Sequence, residues 1–540
     1  MNLVKATATV GGMTLISRVL GFVRDVLMAG LLGTGPVADA FAVAFRFPNL
    51  FRRFFAEGAF NAAFVPLFAK RMEAEGGEAA RAFADEAMSG LVTVLLTLTA
   101  LALVFMPALM VLMAPGFLFE PGEEVSLIGA AERLAQGTWP EKFGLAVHFT
   151  RIAFPYLLFV SLVALLSGIL NSTGRFALAA AAPVLLNIIL ISAMLFVAPH
   201  TPTPGHALVW GVAFAGIAQF LVLVWACARV GLLPRLRVPR LTPGVKRLVA
   251  LGIPGILAGG ITQINLVIGQ IIASLEDGAI AILYYADRLY QLPLGLVGVA
   301  MGVVLLPDLS RRLRGGNEEG ALWAQNRAFE LSMLLTLPAA VALAVVGLPI
   351  IRVLIEGIAG EVFATSRFTA EDSVNTARAL AAFAWGLPAF VLIKVLQPGF
   401  FAREDTRTPM YYAGAQTIVN VGLSLFLFFR IGFVGIAIAT SVGAWANALL
   451  LGMTLWRRGY MKTDPRLRRR LPRIGLASLL MGVALAGLHR LLMPWFDDGL
   501  AMQVTALAVL VLGGMAVFGL CIQVTGGGRI QDLRAALRRP

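Results

Sequence analysis

Ten ionisable residues pose the chemical question in this sequence. Arg18, Arg24, Asp25, Asp39, Arg46, Arg52, Arg53 and Glu57 interrupt two apolar stretches near the N-terminus, and Asp287 and Arg288 interrupt a third. A charge near the middle of a membrane helix costs about 2.5–3.5 kcal/mol on insertion scales. Residues of this kind must face a wet cavity, one another, or a charged substrate. Arg18 and Asp25 are seven apart and share a helix face, with Arg24 beside them. Asp39, Arg46 and Arg53 repeat the spacing of seven, and Glu57 stands four beyond Arg53, right for an ion pair. Pro48 bends this second helix. The plain alternative is mutual neutralisation: Arg53 with Glu57, Arg24 or Arg18 with Asp25, Arg288 with Asp287. Arithmetic defeats it for the group, because the first two stretches hold five arginines and three acids. Surplus arginine in a cavity suits phosphate or carboxylate, whose oxygens match its planar fork.

The elements that must position these residues are membrane helices. The chain has 540 residues, of which 59% are hydrophobic and 14% charged, with a mean hydropathy of +0.83. A soluble chain would carry about 25% charge, so this composition is that of an all-α polytopic membrane protein. The net charge of +14 does not point to nucleic acid, because the basic runs fall in short loops between apolar stretches. At about 20 apolar residues per span, fourteen spans fit between residues 7 and 524. The interrupted ones are 7–32, 38–69, 247–274, 278–308 and 376–401. The first is expected to be a retained helix rather than a signal peptide, since no small-residue cleavage site follows it.

Other chemistry is thin. Cys227 and Cys521 lie in apolar spans and offer neither a disulfide framework nor metal spacing. His148, His200, His206 and His489 are scattered, and no G-x-x-x-x-G-K-[ST] phosphate loop is present. No cofactor or metal is implied, and an enzyme is disfavoured because clustered surface acids or histidines and a large donor-binding loop are lacking.

Loop charge alternates. Lys70-Arg71, the linker from Arg229 to Arg247, Arg311 to Arg314 and the run 457–473 are basic, whereas Glu120 to Glu124, Glu276-Asp277 and Asp497-Asp498 are acidic. The basic side is cytoplasmic by the positive-inside rule, with both termini on it; anionic lipid headgroups are a second use for the same residues. Residues 123–136 of the longest outer loop are expected to form a short interfacial helix. A faint repeat is also present: NSTGRFALAAAAPVLLNI (171–188) echoes REDTRTPMYYAGAQTIVNV (403–421). The offset of about six spans gives two halves of the same orientation, related by an axis along the membrane normal. The organisation expected is an N-lobe over 1–235 (spans 1–6), a C-lobe over 236–460 (spans 7–12), and spans 13–14 with the tail over 461–540.

The strings SRVLGFVRD (17–25), ADAF (38–41), PNLFRRFFAEGAF (48–60) and AFVP (63–66), with YYADRLYQLP (284–293) and LLPDLSR (305–311), resemble the MurJ/MviN family of bacterial lipid II flippases. The resemblance covers the whole chain. It implies the fold of the multidrug/oligosaccharidyl-lipid/polysaccharide exporter superfamily, with two lobes about a cationic cavity and a groove for the polyprenyl tail at spans 13–14. It implies lipid II as substrate, moved by alternating access across the bacterial inner membrane, with membrane lipids and other cell-wall synthesis proteins as partners. The family's cavity arginines fall on Arg18, Arg24, Arg52 and Arg288; Asp25, Asp39 and Glu57 are their acidic neighbours, with Arg46, Arg53 and Asp287 in support. Two departures stand out. Spans 7 and 11 offer Gln263, Asn265, Gln416 and Asn420 where some relatives carry sodium-binding carboxylates, and Gln291 stands where some carry glutamate. The competing reading is an O-antigen-type lipid flippase or a drug exporter of the same superfamily. For a drug exporter, protonatable carboxylates without surplus arginine would be expected.

The topology is open to direct test. In a chain with its two cysteines replaced by serine, Arg237→Cys should resist an impermeant thiol reagent in intact cells and Glu123→Cys should react. The reverse pattern inverts the topology.

Overall fold

The computed structural model describes residues 3–52, 59–120, 123, 126–364 and 366–527. They form helices joined by short connections, and they divide into two compact units, 1–281 and 282–540. The first holds α1 (Leu3–Leu32), α2 (Pro36–Arg52), α3 (Ala59–Ala74), α4 (Gly76–Val104), α5 (Met106–Met113), α6 (Leu127–Gln136), α7 (Glu141–Ala153), α8 (Tyr156–Ser172), α9 (Phe176–Ser192), α10 (Pro204–Arg229) and α11 (Pro243–Ala273). Next come α12 (Ala279–Arg314), which starts just before the division, then α13 (Glu318–Ile351), α14 (Gly360–Phe363), α15 (Ala370–Phe401), α16 (Arg407–Ile431), α17 (Val434–Arg457), α18 (Pro465–Leu491), α19 (Met493–Phe496) and α20 (Leu500–Val524).

Among the described residues, ten helices are long and apolar enough to cross a membrane. They coincide with ten of the fourteen expected spans. The other four expectations fall on α1, on α2 with α3, on α11 and on α12, which carry the intramembrane charges or include residues outside those described. Within the stretch 123–136, where a short helix was expected, lies α6, capped by the Ser126 side chain and ended by Gly137 at φ 67°.

Contacts divide the chain later than the repeat does. The first unit runs on to residue 281 because α11 lies against α3 and α4. The linker ahead of it is extended and fastened to α4. Asp85, 1% exposed, accepts from the Arg235 backbone N–H at 2.8 Å and from Arg237 Nε at 2.9 Å. Ser89, one turn on, accepts from the Arg237 backbone N–H at 2.9 Å, and Thr242 donates to Glu86 at 2.6 Å while capping α11.

The two echoing stretches both begin at helix ends closed in a way that several other helices share. Where α8 ends, Gly174 takes a positive φ of 73° and the Arg175 N–H returns to the Leu170 carbonyl; where α15 ends, Glu404 takes φ 61° and Asp405 N–H returns to Phe400. Both are Schellman-type closures that satisfy late helix carbonyls. The second turn adds a cap: Asp405 accepts from the Thr408 backbone N–H, from the Thr408 hydroxyl and from Arg458, and these bonds, the backbone one foremost, hold its carboxyl down at about 2.

Without a hydrophobic force between helices in lipid, close approach depends on small residues. Gly386 of α15 meets α17 so closely that a Cβ there would lie 2.9 Å from the Ser441 Cα. α18 and α20 pack on α13 through Val346, Met481, Leu485, Ala506 and Leu510. At the other end of this trio, buried Glu330 accepts from Arg327, Arg466 and Arg470, tying α13 to α18.

Gly386→Ala should cost about 1–3 kcal/mol, the usual range for overpacking, seen as a lower thermal midpoint in detergent. Gly414→Ala, whose Cβ would meet nothing within 4 Å, should leave the midpoint unchanged or slightly raised.

Candidate functional site

α1 buries an arginine and an acid side by side. Arg24 is 9% exposed and Asp25 8%. Arg24 donates through Nε and Nη2 to one oxygen of Asp25, at 3.0 and 2.6 Å, and through Nη1 to Asn187 Oδ1 of α9 at 2.8 Å. The amide nitrogen of Asn187 donates in turn to the Ser17 carbonyl at 2.9 Å, about two turns back from Arg24 on α1. The guanidinium is therefore aimed from two helices, with the Phe45 ring 5.9 Å away. Asn187 was legible only as part of the repeat. Its signal is that it is the single amide in the run FALAAAAPVLLNIILIS.

Asp39 belongs to a different cluster. It is fully buried, and its two oxygens accept from the backbone N–H groups of Gly278 and Ala281, each at 2.9 Å, at the first turn of α12. Lys142 Nζ lies 2.7 Å from Asp39 and 2.7 Å from Asp277, above the Phe117 ring. The spacing of seven groups Asp39 with the arginines, and nothing local in the sequence singles out Lys142, which stands beside Glu141. With Asp39 satisfied by a lysine, the arginines retain one acid fewer.

The remaining residues are placed as follows. Arg18 is exposed on α1. Arg46 approaches Gln270 Oε1 at 3.4 Å, and Arg52 donates to Asn49 at 2.8 Å. Arg53 and Glu57, with their expected ion pair, lie outside the described residues. In the second unit, the Arg288 guanidinium sits 4.6 Å above the Tyr284 ring, and Gln291 donates to Asp287. The residue noted as departing from the family pattern thus holds an acid of the candidate set. His148 and His206, which sequence spacing kept apart, have ring centroids 5.5 Å apart, with His206 bonded to Thr203.

The amides of spans 7 and 11 are engaged as well. Gln416 accepts from Asn447 at 2.7 Å, and Asn420 accepts from Ser424 and Thr440 at 3.2 and 3.4 Å. This is a network of neutral oxygens. Among the described residues no group of three His, Cys, Asp or Glu side chains gathers to hold a metal.

An all-helical chain with many spans, whose buried arginine is oriented by an acid and an amide, has the build of a multi-pass membrane transporter. Solved structures agree on the fold. The chain superposes on "Lipid II flippase MurJ, inward closed conformation" with a TM-score of 0.74 at 24% identity, covering 95% of this chain and 98% of that one. It superposes on an inward-facing multidrug resistance MATE transporter of the MOP superfamily with a TM-score of 0.63 at 15% identity, covering 84% and 98%. In sequence, the profile of the family "Lipid II flippase MurJ" matches residues 28–505. A "Probable lipid II flippase MurJ" of Rhizobium meliloti (strain 1021) is 46% identical over all of this chain and 97% of its own. The "Lipid II flippase MurJ" of Burkholderia cenocepacia is 39% identical, over 89% of this chain and 90% of its own. The chain belongs to the MurJ lipid II flippase family, a family of transporters rather than enzymes.

Asn187→Ala should leave Arg24 buried with one partner fewer. A hydrogen bond to a charged group is worth about 1.5–3 kcal/mol, so transport should fall about tenfold or more while the protein still inserts. Complementation of a flippase-depleted strain at matched expression measures it, and Asn187→Gln should recover part of the loss.

Proposed function

We propose that this protein flips lipid II, the undecaprenyl-pyrophosphate disaccharide-pentapeptide, from the cytoplasmic to the periplasmic leaflet of a bacterial inner membrane. Family membership over the whole chain supports the substrate, and the Arg24–Asp25–Asn187 arrangement is the observation that carries the chemistry. The proposal includes fourteen spans, both termini in the cytoplasm, lobes over 1–235 and 236–460, and a polyprenyl-tail groove formed by the last two long helices. The cores of α18 and α20 suit a lipid tail, since Ala477–Leu488 and Val504–Leu520 carry no charge.

Arg24 provides the pyrophosphate contact in the first unit, and Arg288 provides one in the second. Each has an acid adjacent in sequence, Asp25 or Asp287. Breaking a buried ion pair by removing one partner costs about 3–5 kcal/mol, so Asp25 keeps Arg24 in place while no substrate is bound. Pyrophosphate oxygens replace that partner with charge-assisted, bidentate bonds. The ligand then binds better to the state in which these contacts form, and that difference in affinity is what shifts a conformational equilibrium. Arg18 and Arg52 supply further positive charge, and Asp39 with Lys142 and the first turn of α12 fixes the frame of the first unit.

Lysine keeps the charge but loses the fork. Arg24→Lys and Arg288→Lys should each impair flipping at normal expression; growth like wild type by both would leave only a charge effect and sink the bidentate contact.

Transport should also be independent of sodium. A hard cation prefers carboxylate oxygen, and the amides of Gln416 and Asn420 are neutral and already bonded. Membrane potential, about 2.3 kcal/mol per elementary charge per 100 mV, is the driver proposed. Flipping that stops on sodium removal at constant potential refutes this.

A further inference from the structure

On the basic side of the first unit, the start of α11, the end of α3 and the early turns of α4 enclose a cavity of about 190 Å³ lined by Leu67, Arg71, Phe83, Pro243, Gly244 and Arg247. The Arg71 guanidinium carbon lies over the Phe83 ring, 4.3 Å from its centroid. A cation–π contact of this kind holds the guanidinium in place without using its N–H donors. Gly244 makes the arrangement possible, because a Cβ there would stand 2.5 Å from Arg71 Nη2 and 3.2 Å from the Phe83 ring. Arg247, one turn along α11, lines the same cavity from an exposed position.

Neither guanidinium has a carboxylate within ion-pair distance among the described residues. The nearby acids of α4 are already occupied: Asp85 by the Arg235 backbone and Arg237, and Glu86 by Thr242. The same hydrogen bonds fix the linker that leads into the cavity. Between its arginines, the linker turns Leu236, Val238 and Leu241 outward at 65%, 78% and 73% exposure. Two unneutralised arginines therefore sit in a largely carbon-lined cavity beside exposed aliphatic side chains at the end of membrane helices. Such a surface matches the boundary between phosphates and acyl chains.

We propose that this cavity binds the phosphate headgroup of an anionic phospholipid in the leaflet on the basic side, and so anchors the linker between α10 and α11 to the bilayer. The shared chemistry is a phosphate between Arg71 and Arg247. The linker's exposed apolar residues favour a lipid over a free anion. The inference does not depend on what the protein transports.

The test uses the full chain in non-ionic detergent, titrated with dioleoylphosphatidylglycerol, dioleoylphosphatidylcholine or inorganic phosphate and followed by native mass spectrometry. The tightest phosphatidylglycerol step should weaken at least fivefold in the double variant Arg71→Gln/Arg247→Gln, and by a similar factor in Gly244→Ala, which keeps both charges but displaces Arg71. Arg247→Gln alone, at an exposed position where folding is not at stake, should weaken it at least threefold. Phosphatidylcholine should bind at least fivefold more weakly than phosphatidylglycerol to the wild type. An unchanged phosphatidylglycerol step in Arg247→Gln overturns the proposal. Displacement of that step by millimolar inorganic phosphate makes the cavity a free-anion site and overturns the lipid assignment. Displacement by stoichiometric undecaprenyl pyrophosphate assigns the cavity to the substrate and overturns it equally.

Discussion

A charge buried among membrane helices must be paired and hydrogen-bonded or it does not stay charged. That constraint organises the packing in both units. Arg24 brings α1 to α9 through Asn187, Asp39 gathers α2, α7 and the first turn of α12 around Lys142, Asp85 lays the linker on α4, and Glu330 joins α13 to α18. In each case a side chain that hydrocarbon would reject is what fixes one helix to the next. The apolar contacts around them are dense but unspecific, because lipid tails are as apolar as the helix faces they would replace.

The buried charges are not held alike, and the difference bears on function. Asp39 receives two backbone N–H groups and an ammonium, partners that cannot leave without unwinding a helix turn or moving Lys142 from two acids at once. Arg24 donates to the side chains of Asp25 and Asn187, with two of its donors sharing one carboxylate oxygen. A phosphate can compete for those donors with no change in backbone structure. The first arrangement suits a fixed joint, and the second is compatible with the ligand contact proposed for Arg24.

Much of this was legible in the sequence. The helices followed from apolar length, and the Arg24–Asp25 pair from adjacency on an interrupted span. The short helix α6 falls within the stretch 123–136 where one was expected. Two partners were not legible, for a common reason. Asn187 and Lys142 act across 163 and 103 residues of chain, on Arg24 and Asp39 respectively. Neither an amide in an apolar run nor a lysine beside a glutamate carries a local sign of such a distant contact. Helical spacing placed Asp39 on a face with Arg46, but it is silent about donors arriving from another helix.

The same limit separates the repeat from the compact units. The repeat read from the sequence has α11 open the second half, yet α11 lies against α3 and α4 in the first unit. The reason lies in a few polar residues outside the repeat pattern. Asp85, Glu86 and Ser89 bind three points of the linker, and the cap at Thr242 fixes where α11 begins. A helix whose start is pinned in this way can alter its course only further along, where Gly252, Pro254, Gly255, Gly259 and Gly260 make bending cheap. The linker's fastening thus fixes the first turn of α11 beside α4, whatever course the helix takes beyond it.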